Sequence, residues 1–174
     1  MLKKILSLLF LLIIVAGGVF YIKNFKDNYD ASKYKASSDS KGVGSHIDFI
    51  LPDQFGKSHK LSDSTKTIVF TFAKATSHIV RDFLHTQNDD FLSSKDALYI
   101  ADISPMPVII RNAFAMPDLK ESNYPVLLMY DPIIASKFRD EAHKDEIMIV
   151  SLEDKTIKDI KFVNDASTLK EALK

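Results

Sequence analysis

The 174-residue sequence contains no cysteine. This absence excludes disulfide bonds, thiolate metal sites, iron–sulfur clusters and every catalytic or redox mechanism that needs a thiol. Glycine is scarce, with five in the chain, and none stands in a phosphate-binding loop motif, which argues against nucleotide use. Basic and acidic residues balance at 23 each, so the chain lacks the excess of positive charge that is typical of nucleic-acid-binding proteins.

One long apolar run lies near the N-terminus. Residues 5–22 carry no charged side chain, and as a helix they are about 27 Å long, enough to cross the hydrocarbon core of a bilayer. Phe20 and Tyr21 near its end suit the membrane interface. The alternative is a cleaved signal peptide, whose apolar core is usually only about 7–15 residues long and precedes a small-residue cleavage site. The longer run predicts an uncleaved transmembrane anchor over residues 1–22.

The distribution of lysines predicts the orientation of this anchor. Lys3 and Lys4 precede the apolar run, and a short lysine-bearing tail stays in the cytoplasm. Lysines at positions 23, 26, 33 and 35 follow the run and reduce this asymmetry. The pattern still predicts a single-pass protein of the inner membrane whose C-terminal domain is extracytoplasmic, in the periplasm.

Residues 23–45 are rich in serine, lysine, aspartate and glycine. A segment with so few apolar residues buries too little surface to offset the entropy lost on ordering. We therefore expect a polar tether that is flexible from Ala36 onward, while the aromatic residues before Ala36 either extend the helix or rest on lipid headgroups. The remaining residues, 46–174, form one globular domain without an internal repeat.

Short extended runs alternate with helical ones in this domain. Residues 67–72 are apolar on both faces and rich in β-branched and aromatic side chains, which is typical of a central strand covered above and below. The other predicted strands are residues 46–51, 58–61, 99–101, 126–129, 147–152 and 156–163. Strands separated by helices favour parallel pairing, and the closing pair favours an antiparallel edge. The pattern predicts an α/β domain with a central mixed sheet of about five strands and helices on both faces.

Four helical segments are predicted between and after these strands. The first follows Thr76 and Ser77, either of which is suited to cap a first turn. Pro107 fits the start of the second helix and Pro117 ends it, while Asp165 caps the last one. The second, third and fourth helices are predicted over residues 108–114, 133–143 and 166–173.

Residues 47–72 fit the phrase F-x-L-x-D-x-x-G-K-x-x-x-L-S-D followed by a buried strand. The matching residues are Phe49, Leu51, Asp53, Gly56, Lys57, Leu61, Ser62 and Asp63. This phrase resembles the opening of the thioredoxin-like superfamily, in particular its peroxiredoxin and membrane-tethered thiol–disulfide oxidoreductase branch. Residues 124–128 resemble the F-P-V-L-x-D strand of that branch, and residues 147–163 resemble its final hairpin. The resemblance implies a thioredoxin-like three-layer sandwich over residues 46–174.

The chain departs from this branch at the position of its cysteines. Where the branch carries C-x-x-C, at the start of the first main helix, this sequence has Thr76, Ser77, His78 and Ile79. A threonine hydroxyl there stays protonated, so it neither attacks a disulfide nor reduces a peroxide. The cis-proline that the branch places before its final hairpin is also absent, since residues 144–146 are Lys-Asp-Glu. We therefore predict a degenerate, redox-inactive site.

Metal binding is the main chemical alternative. His78 and Asp82 lie four residues apart on one helix face, a spacing suited to two ligands of one ion. The alternative is a solvated face, because a site normally needs three or four ligands and His85 lies about 10.5 Å further along the helix from His78. Methionine with histidine suits Cu(I), but the methionines are dispersed, and Met129 and Met148 are expected in buried strands. We predict no cofactor.

Three classes of function remain. In the first, a membrane-anchored, redox-inactive domain binds an envelope protein partner through the former active-site end, around Thr76, Ser77 and His78 with Met106 and Pro107. In the second, the domain carries copper, another metal or a small ligand. In the third, it is an enzyme with non-thiol chemistry, which no motif specifically supports. We rank the three in that order.

Overall fold

The computed structural model describes residues 2–173. The strands are β1 (Lys35–Ser38), β2 (Ile47–Pro52), β3 (Ser58–Lys60), β4 (Thr67–Thr71), β5 (Ala97–Asp102), β6 (Val126–Met129), β7 (Ile147–Glu153) and β8 (Thr156–Val163). The α-helices are α1 (Leu2–Phe25), α2 (Lys74–His85), α3 (Val108–Ile110), α4 (Met116–Leu119), α5 (Pro132–Ser136) and α6 (Ala166–Ala172). The strands form a three-stranded sheet in the order β1-β2-β3 and a five-stranded sheet in the order β6-β5-β4-β7-β8.

The five-stranded sheet is the middle layer of the domain. Strands β4, β5 and β6 are parallel to one another, and β7 is antiparallel to both of its neighbours, β4 and β8. Side chains alternate between its faces, so Phe70 belongs to one hydrophobic cluster and Val69 to the other. Residues of β2 and α5 cover the first cluster, and residues of α2 and α6 cover the second. The predicted three-layer sandwich around a mixed five-stranded sheet is confirmed.

Part of the predicted polar tether forms a strand. β1 pairs antiparallel with β2, with Ala36 opposite Phe49. Strand pairing uses backbone groups and does not require apolar side chains, and Tyr34 and Ala36 add contacts with the core cluster. The prediction of a flexible segment from Ala36 onward, which rested on composition, was therefore wrong for the residues of β1. The division into anchor, tether and domain stays a prediction.

The first turn of α2 differs from the predicted one. The helix begins at Lys74 after Ala73, which makes no side-chain cap, so neither Thr76 nor Ser77 caps it. The Thr76 hydroxyl instead donates to the carbonyl oxygen of Ala73 at 2.9 Å. The Ser77 hydroxyl lies 2.8 Å from that of Thr71 on β4. Both side chains have partners that the local sequence does not reveal, and the capping prediction was wrong.

Pro117 does not end the second predicted helix. α3 continues through a π-helical turn, Arg111–Ala115, directly into α4. Within this turn the Met116 N–H donates to the carbonyl of Arg111, five residues earlier. The wider turn accommodates a proline, which has no N–H to donate and whose ring crowds the preceding turn. We call residues 108–119 the π-segment.

The bounds of the last two helices, α5 and α6, depend on contacts of different range. α5 ends at Ser136, far short of the predicted 133–143, because Phe138 turns into the core and packs against Phe70, with ring centroids 5.2 Å apart. α6 agrees closely with its prediction, since the Asp165 carboxylate accepts from the backbone N–H of Thr168. A strong local cap therefore located one helix, whereas a long-range ring contact shortened the other.

The turn between β2 and β3 is built around the Asp53 carboxylate. It accepts hydrogen bonds from the backbone N–H groups of Phe55 at 2.8 Å and Lys57 at 2.9 Å, and from the His59 ring at 2.8 Å. Gly56 occupies the left-handed region at φ 81°, which glycine adopts without strain. Burial raises the pKa of Asp53, but the hydrogen bonds from His59, Lys57 and Phe55 lower it by more than burial raises it. The net pKa is therefore below 3.8.

Asp53→Asn is expected to destabilise the protein by about 1–2 kcal/mol at neutral pH, because the substitution removes a charged acceptor of three hydrogen bonds. A carboxylate whose pKa is lowered by folding stabilises the folded state above its unfolded pKa of 3.8 and loses that effect as the pH falls through the folded value. The difference between wild type and variant in urea unfolding should therefore shrink below about pH 4. A difference independent of pH would contradict this role.

Gln54 closes the edge of the five-stranded sheet. Its side-chain amide donates to the carbonyl oxygen of Tyr124 at 2.9 Å and accepts from the N–H of Val126 at 2.8 Å. Asp53 forms an isolated antiparallel bridge with Leu127 on the same strand. Strand β6 is one of the two edge strands of this sheet, and these contacts satisfy backbone groups that an open edge would leave unpaired.

Helix α1 extends beyond the predicted end of the anchor, to Phe25. Residues 3–22 are long and apolar enough to cross a membrane, and none of this stretch is buried by the rest of the protein. A signal sequence near the N-terminus can also be this long and apolar, so these two features fit either a membrane span or a signal sequence.

Candidate functional site

A cavity of about 690 Å³ lies at the end of the domain where strands β4 and β5 finish. Parallel strands that finish at the same edge bring their following loops together, which is a usual place for a binding site in α/β proteins. The first turns of α2 form one wall, and the π-segment forms the opposite wall. The lining is mostly apolar, and its apolar side chains include those of Phe72, Ile103, Met106, Pro107, Ile110 and Phe114.

The predicted degenerate site is divided between this cavity and the core. Ser77 and His78 line the cavity, together with the predicted partner-binding residues Met106 and Pro107. Thr76 is buried, and Ile79 packs against the hydrophobic cluster under α2. Positions three residues apart share a helix face, so residues 76 and 79, which correspond to the two cysteines of the resembled motif, both turn away from the cavity.

Three hydroxyl groups form a buried network beneath the start of α2. The Thr71 hydroxyl lies 2.8 Å from that of Ser77 and 3.2 Å from that of Tyr99. Burial raises the pKa of Tyr99 to about 12, so its phenol stays protonated at neutral pH. The network contains no base that would activate Ser77 as a nucleophile, and it holds α2 against β4 and β5.

An ion pair joins the two walls of the cavity. Both terminal nitrogens of Arg81 on α2 donate to the carboxylate of Asp118 on α4, one of them at 2.9 Å. The hydrogen bond to Asp118 raises the pKa of Arg81, and the same bond lowers the pKa of Asp118. Both groups therefore stay charged and hold α2 and α4 together. No local pattern in the sequence indicates this pair, because its members are 37 residues apart.

A second ion pair lies at the end of β5, beside the cavity. The buried carboxylate of Asp102 accepts from the backbone N–H of Ser104 at 2.9 Å and from the guanidinium of Arg139 at 3.2 Å. The arrangement orients the loop that leads to Met106. Asp102 was not among the predicted site residues, although a carboxylate directly after a predicted buried strand was the available signal.

The metal candidates remain on the surface of α2. His78, Asp82 and His85 are all exposed, and the ring of His85 lies 6.2 Å from that of Tyr124. Within residues 2–173, no group of three or more histidine, aspartate or glutamate side chains is placed to hold a metal ion. Met129 and Met148 are buried in strands, as predicted. Among the residues that the structure describes, the fold therefore brings no third ligand of these types to His78 and Asp82.

No protein-family model matches the sequence, and no curated protein matches it. Among solved structures, StoA from Bacillus subtilis is similar at a TM-score of 0.52 and 12% identity, over 73% of this chain and 96% of that chain. The fold is thioredoxin-like. The thioredoxin domain of a thiol-disulfide oxidoreductase from Bacteroides vulgatus matches at a TM-score of 0.46 and 13% identity, over 79% of this chain and 100% of that chain.

A peroxiredoxin-like protein from Aquifex aeolicus matches at a TM-score of 0.47 and 10% identity, over 79% of this chain and 91% of that chain. The similarity to StoA confirms the predicted thioredoxin-like architecture, in a chain without cysteine. At these identities the likeness concerns the fold, and this chain has no thiol for the chemistry that is named for one neighbour.

Proposed function

We propose that this protein is a membrane-anchored, extracytoplasmic and redox-inactive thioredoxin-like protein that binds a polypeptide segment of an envelope partner. The observation that carries the proposal is the mostly apolar cavity of about 690 Å³ beside the former cysteine positions. Without the two cysteines of the resembled motif, this place keeps a surface for binding but has no thiol to react. The cavity is in the size range of ligand pockets, about 300–1,000 Å³.

The chemistry of the lining favours a polypeptide segment. Phe72 and Met106 supply apolar surface for a side chain of the partner, and methionine adapts to irregular shapes. Ser77 and His78 supply polar groups at the same wall, suited to hydrogen bonds with a peptide backbone. A few polar groups on a mainly apolar surface are typical of such sites.

Two observations support the membrane location. The exposed apolar stretch of α1 has the length of a membrane span, and Lys3 and Lys4 before it favour a cytoplasmic N-terminus. The resemblance of residues 47–72 to the membrane-tethered branch agrees with this arrangement. We therefore assign the thioredoxin-like domain to the outer side of the inner membrane.

Photo-crosslinking from His78 tests the binding site. A photoreactive phenylalanine analogue replaces His78 in the full chain in intact membranes, and a discrete protein adduct is expected. The matched position is Lys161, an exposed residue on the edge strand β8, from which no such adduct should form. Adducts of equal yield from both positions would count as non-specific labelling and contradict the proposal.

A cavity-filling substitution identifies the surface that holds the partner. Ala113 lines the cavity, so Ala113→Phe is expected to reduce the adduct from His78 by about tenfold or more, equivalent to about 1.4 kcal/mol. Ala31→Phe, at an exposed position outside the cavity lining, is the control and should leave the yield unchanged. An adduct that persists in the folded Ala113→Phe protein would exclude the cavity as the binding site.

The absence of redox activity is a separate prediction. The full-length protein should neither reduce insulin disulfides nor consume hydrogen peroxide above the rate without protein, because each reaction needs a thiolate. A cysteine-containing thioredoxin serves as the positive control. Turnover by the purified protein would overturn the redox-inactive assignment.

A further inference from the structure

The C-terminal end of α1 is bound to the π-segment. The side-chain amide of Asn112 donates to the carbonyl oxygens of Asn24 at 3.1 Å and Lys26 at 3.0 Å. The last carbonyl groups of a helix lack partners within the helix, and Asn112 supplies a donor to this end of α1. Asn24 is itself buried in the contact.

A second set of contacts holds the residues after α1 against the domain. Arg111 is buried and pairs with Asp27 at 2.7 Å, and its guanidinium lies 4.8 Å from the centre of the Tyr130 ring. The ring of Tyr29 stacks between Tyr130 at 4.7 Å and Tyr34 at 5.5 Å. The chain that leaves α1 is therefore packed on the domain, close to the end of the helix.

These contacts determine where the π-segment lies when α1 spans a bilayer. The apolar stretch ends at Ile22, and Asn24 is about 3 Å further along the helix. The headgroup region of a bilayer is about 5–7 Å thick on each side, so Asn112 lies at headgroup depth. Ile110 and Phe114, two residues on either side of Asn112, lie across the π-segment from it, and a helix with its side chains is about 10–12 Å across, so both are within about one helix diameter of this contact.

We propose that Ile110 and Phe114 insert into the interface of the membrane that α1 spans, so that the π-segment is a second membrane contact. Ile110 is 45% exposed and Phe114 is 66% exposed, although both are large and apolar. Apolar side chains on a surface helix that lies along a bilayer are buried about 5–10 Å into the boundary of headgroups and acyl chains. The inference rests on the membrane anchoring proposed above and commits to a lipid surface as the occupant of this patch.

The proposed membrane contact also indicates from which side a partner reaches the cavity. Ile110 and Phe114 both line the cavity, so one rim of the cavity lies at the lipid surface. A polypeptide that enters from that rim comes from the membrane interface, as does the segment of another membrane protein that has just left the bilayer.

Single-cysteine labelling tests this contact, and the absence of native cysteine makes each label unique. The full-length protein is reconstituted into phosphatidylcholine vesicles with an environment-sensitive fluorophore at Phe114→Cys or Ile110→Cys. Quenching by lipids that carry a spin label near the headgroup is measured. We expect quenching at both positions to be at least about twofold stronger than at an equally exposed site away from the membrane.

Val43→Cys is that matched site, since Val43 is 65% exposed and its neighbour Gly44 is bonded to Ile157, near the end of the sheet opposite the cavity. Ile14→Cys, near the middle of the apolar stretch of α1, reports on anchoring itself when it is measured with lipids that carry the spin label deep in their acyl chains. Strong quenching at Ile14 with equal, weak quenching at positions 114 and 43 would overturn this inference and leave the anchor intact. Weak quenching at Ile14 would overturn the anchor and the inference together.

Discussion

Phe70→Ala should destabilise the protein by about 3–5 kcal/mol, as expected for a large cavity in a packed core. Phe70 is 0% exposed, and its ring packs against Phe138 at 5.2 Å and Phe72 at 6.0 Å. The substitution removes aromatic contacts between β4 and the residues that follow α5. Urea unfolding of the full-length protein in detergent, followed by far-ultraviolet circular dichroism, measures the change.

Phe55→Ala is the matched control for this experiment. Phe55 is 64% exposed, so the same chemical change should alter the free energy of unfolding by no more than about 0.5 kcal/mol. Phe72→Ala belongs with Phe70→Ala in the larger range, because Phe72 is also buried. Near wild-type stability of Phe70→Ala would contradict the assignment of β4 as the central strand.

Gln54→Leu should cost about 2–4 kcal/mol, because it leaves two buried backbone groups without partners. These groups are the carbonyl oxygen of Tyr124 and the N–H of Val126, which the Gln54 amide now satisfies at 2.9 Å and 2.8 Å. Leucine has a similar volume, so little of the loss arises from packing. Equilibrium unfolding measures the change in the free energy of unfolding. Faster hydrogen exchange at the Val126 amide would show that the loss arises at this strand.

Gln87→Leu is the control for the hydrogen-bonding effect. The Gln87 amide also donates to protein acceptors, on Phe83 and Thr86, but it is only partly buried, so water replaces the lost bonds. We expect a change of at most about 0.5 kcal/mol. A Gln54→Leu protein as stable as Gln87→Leu, with unchanged exchange at Val126, would show that β6 does not depend on this amide.

The central strand, the final hairpin and the last helix were predicted from local sequence patterns. The strand predicted over residues 67–72 is buried on both faces because its central side chains, Ile68, Val69 and Phe70, are all apolar. The final hairpin lies where residues 147–152 and 156–163 predicted its two strands. Asp165 located the start of α6 through a cap that involves only its immediate neighbours. Such features depend on contacts within a few residues, which a sequence displays directly.

Two predicted boundaries failed where distant contacts compete with local preference, and a third failed at a π-helical turn within one helical segment. Pro117 remains in a helical segment because a π-helical turn makes room for it. α5 stops early because Phe138 enters the core. β1 forms in a polar stretch because β2 offers it backbone partners. In each case the deciding group comes from another turn or another strand.

The sequence by itself determined which chemistry this protein lacks, because a chain without cysteine has no thiolate in any fold. It also determined the apolar N-terminal stretch and the order of strands and helices. Only the tertiary structure decided that Ser77 and His78 face a cavity while Thr76 and Ile79 do not. It alone brought Asn112 to the end of α1, 88 residues away in the chain. Contacts over such separations form only when the whole domain packs, and no local pattern encodes them.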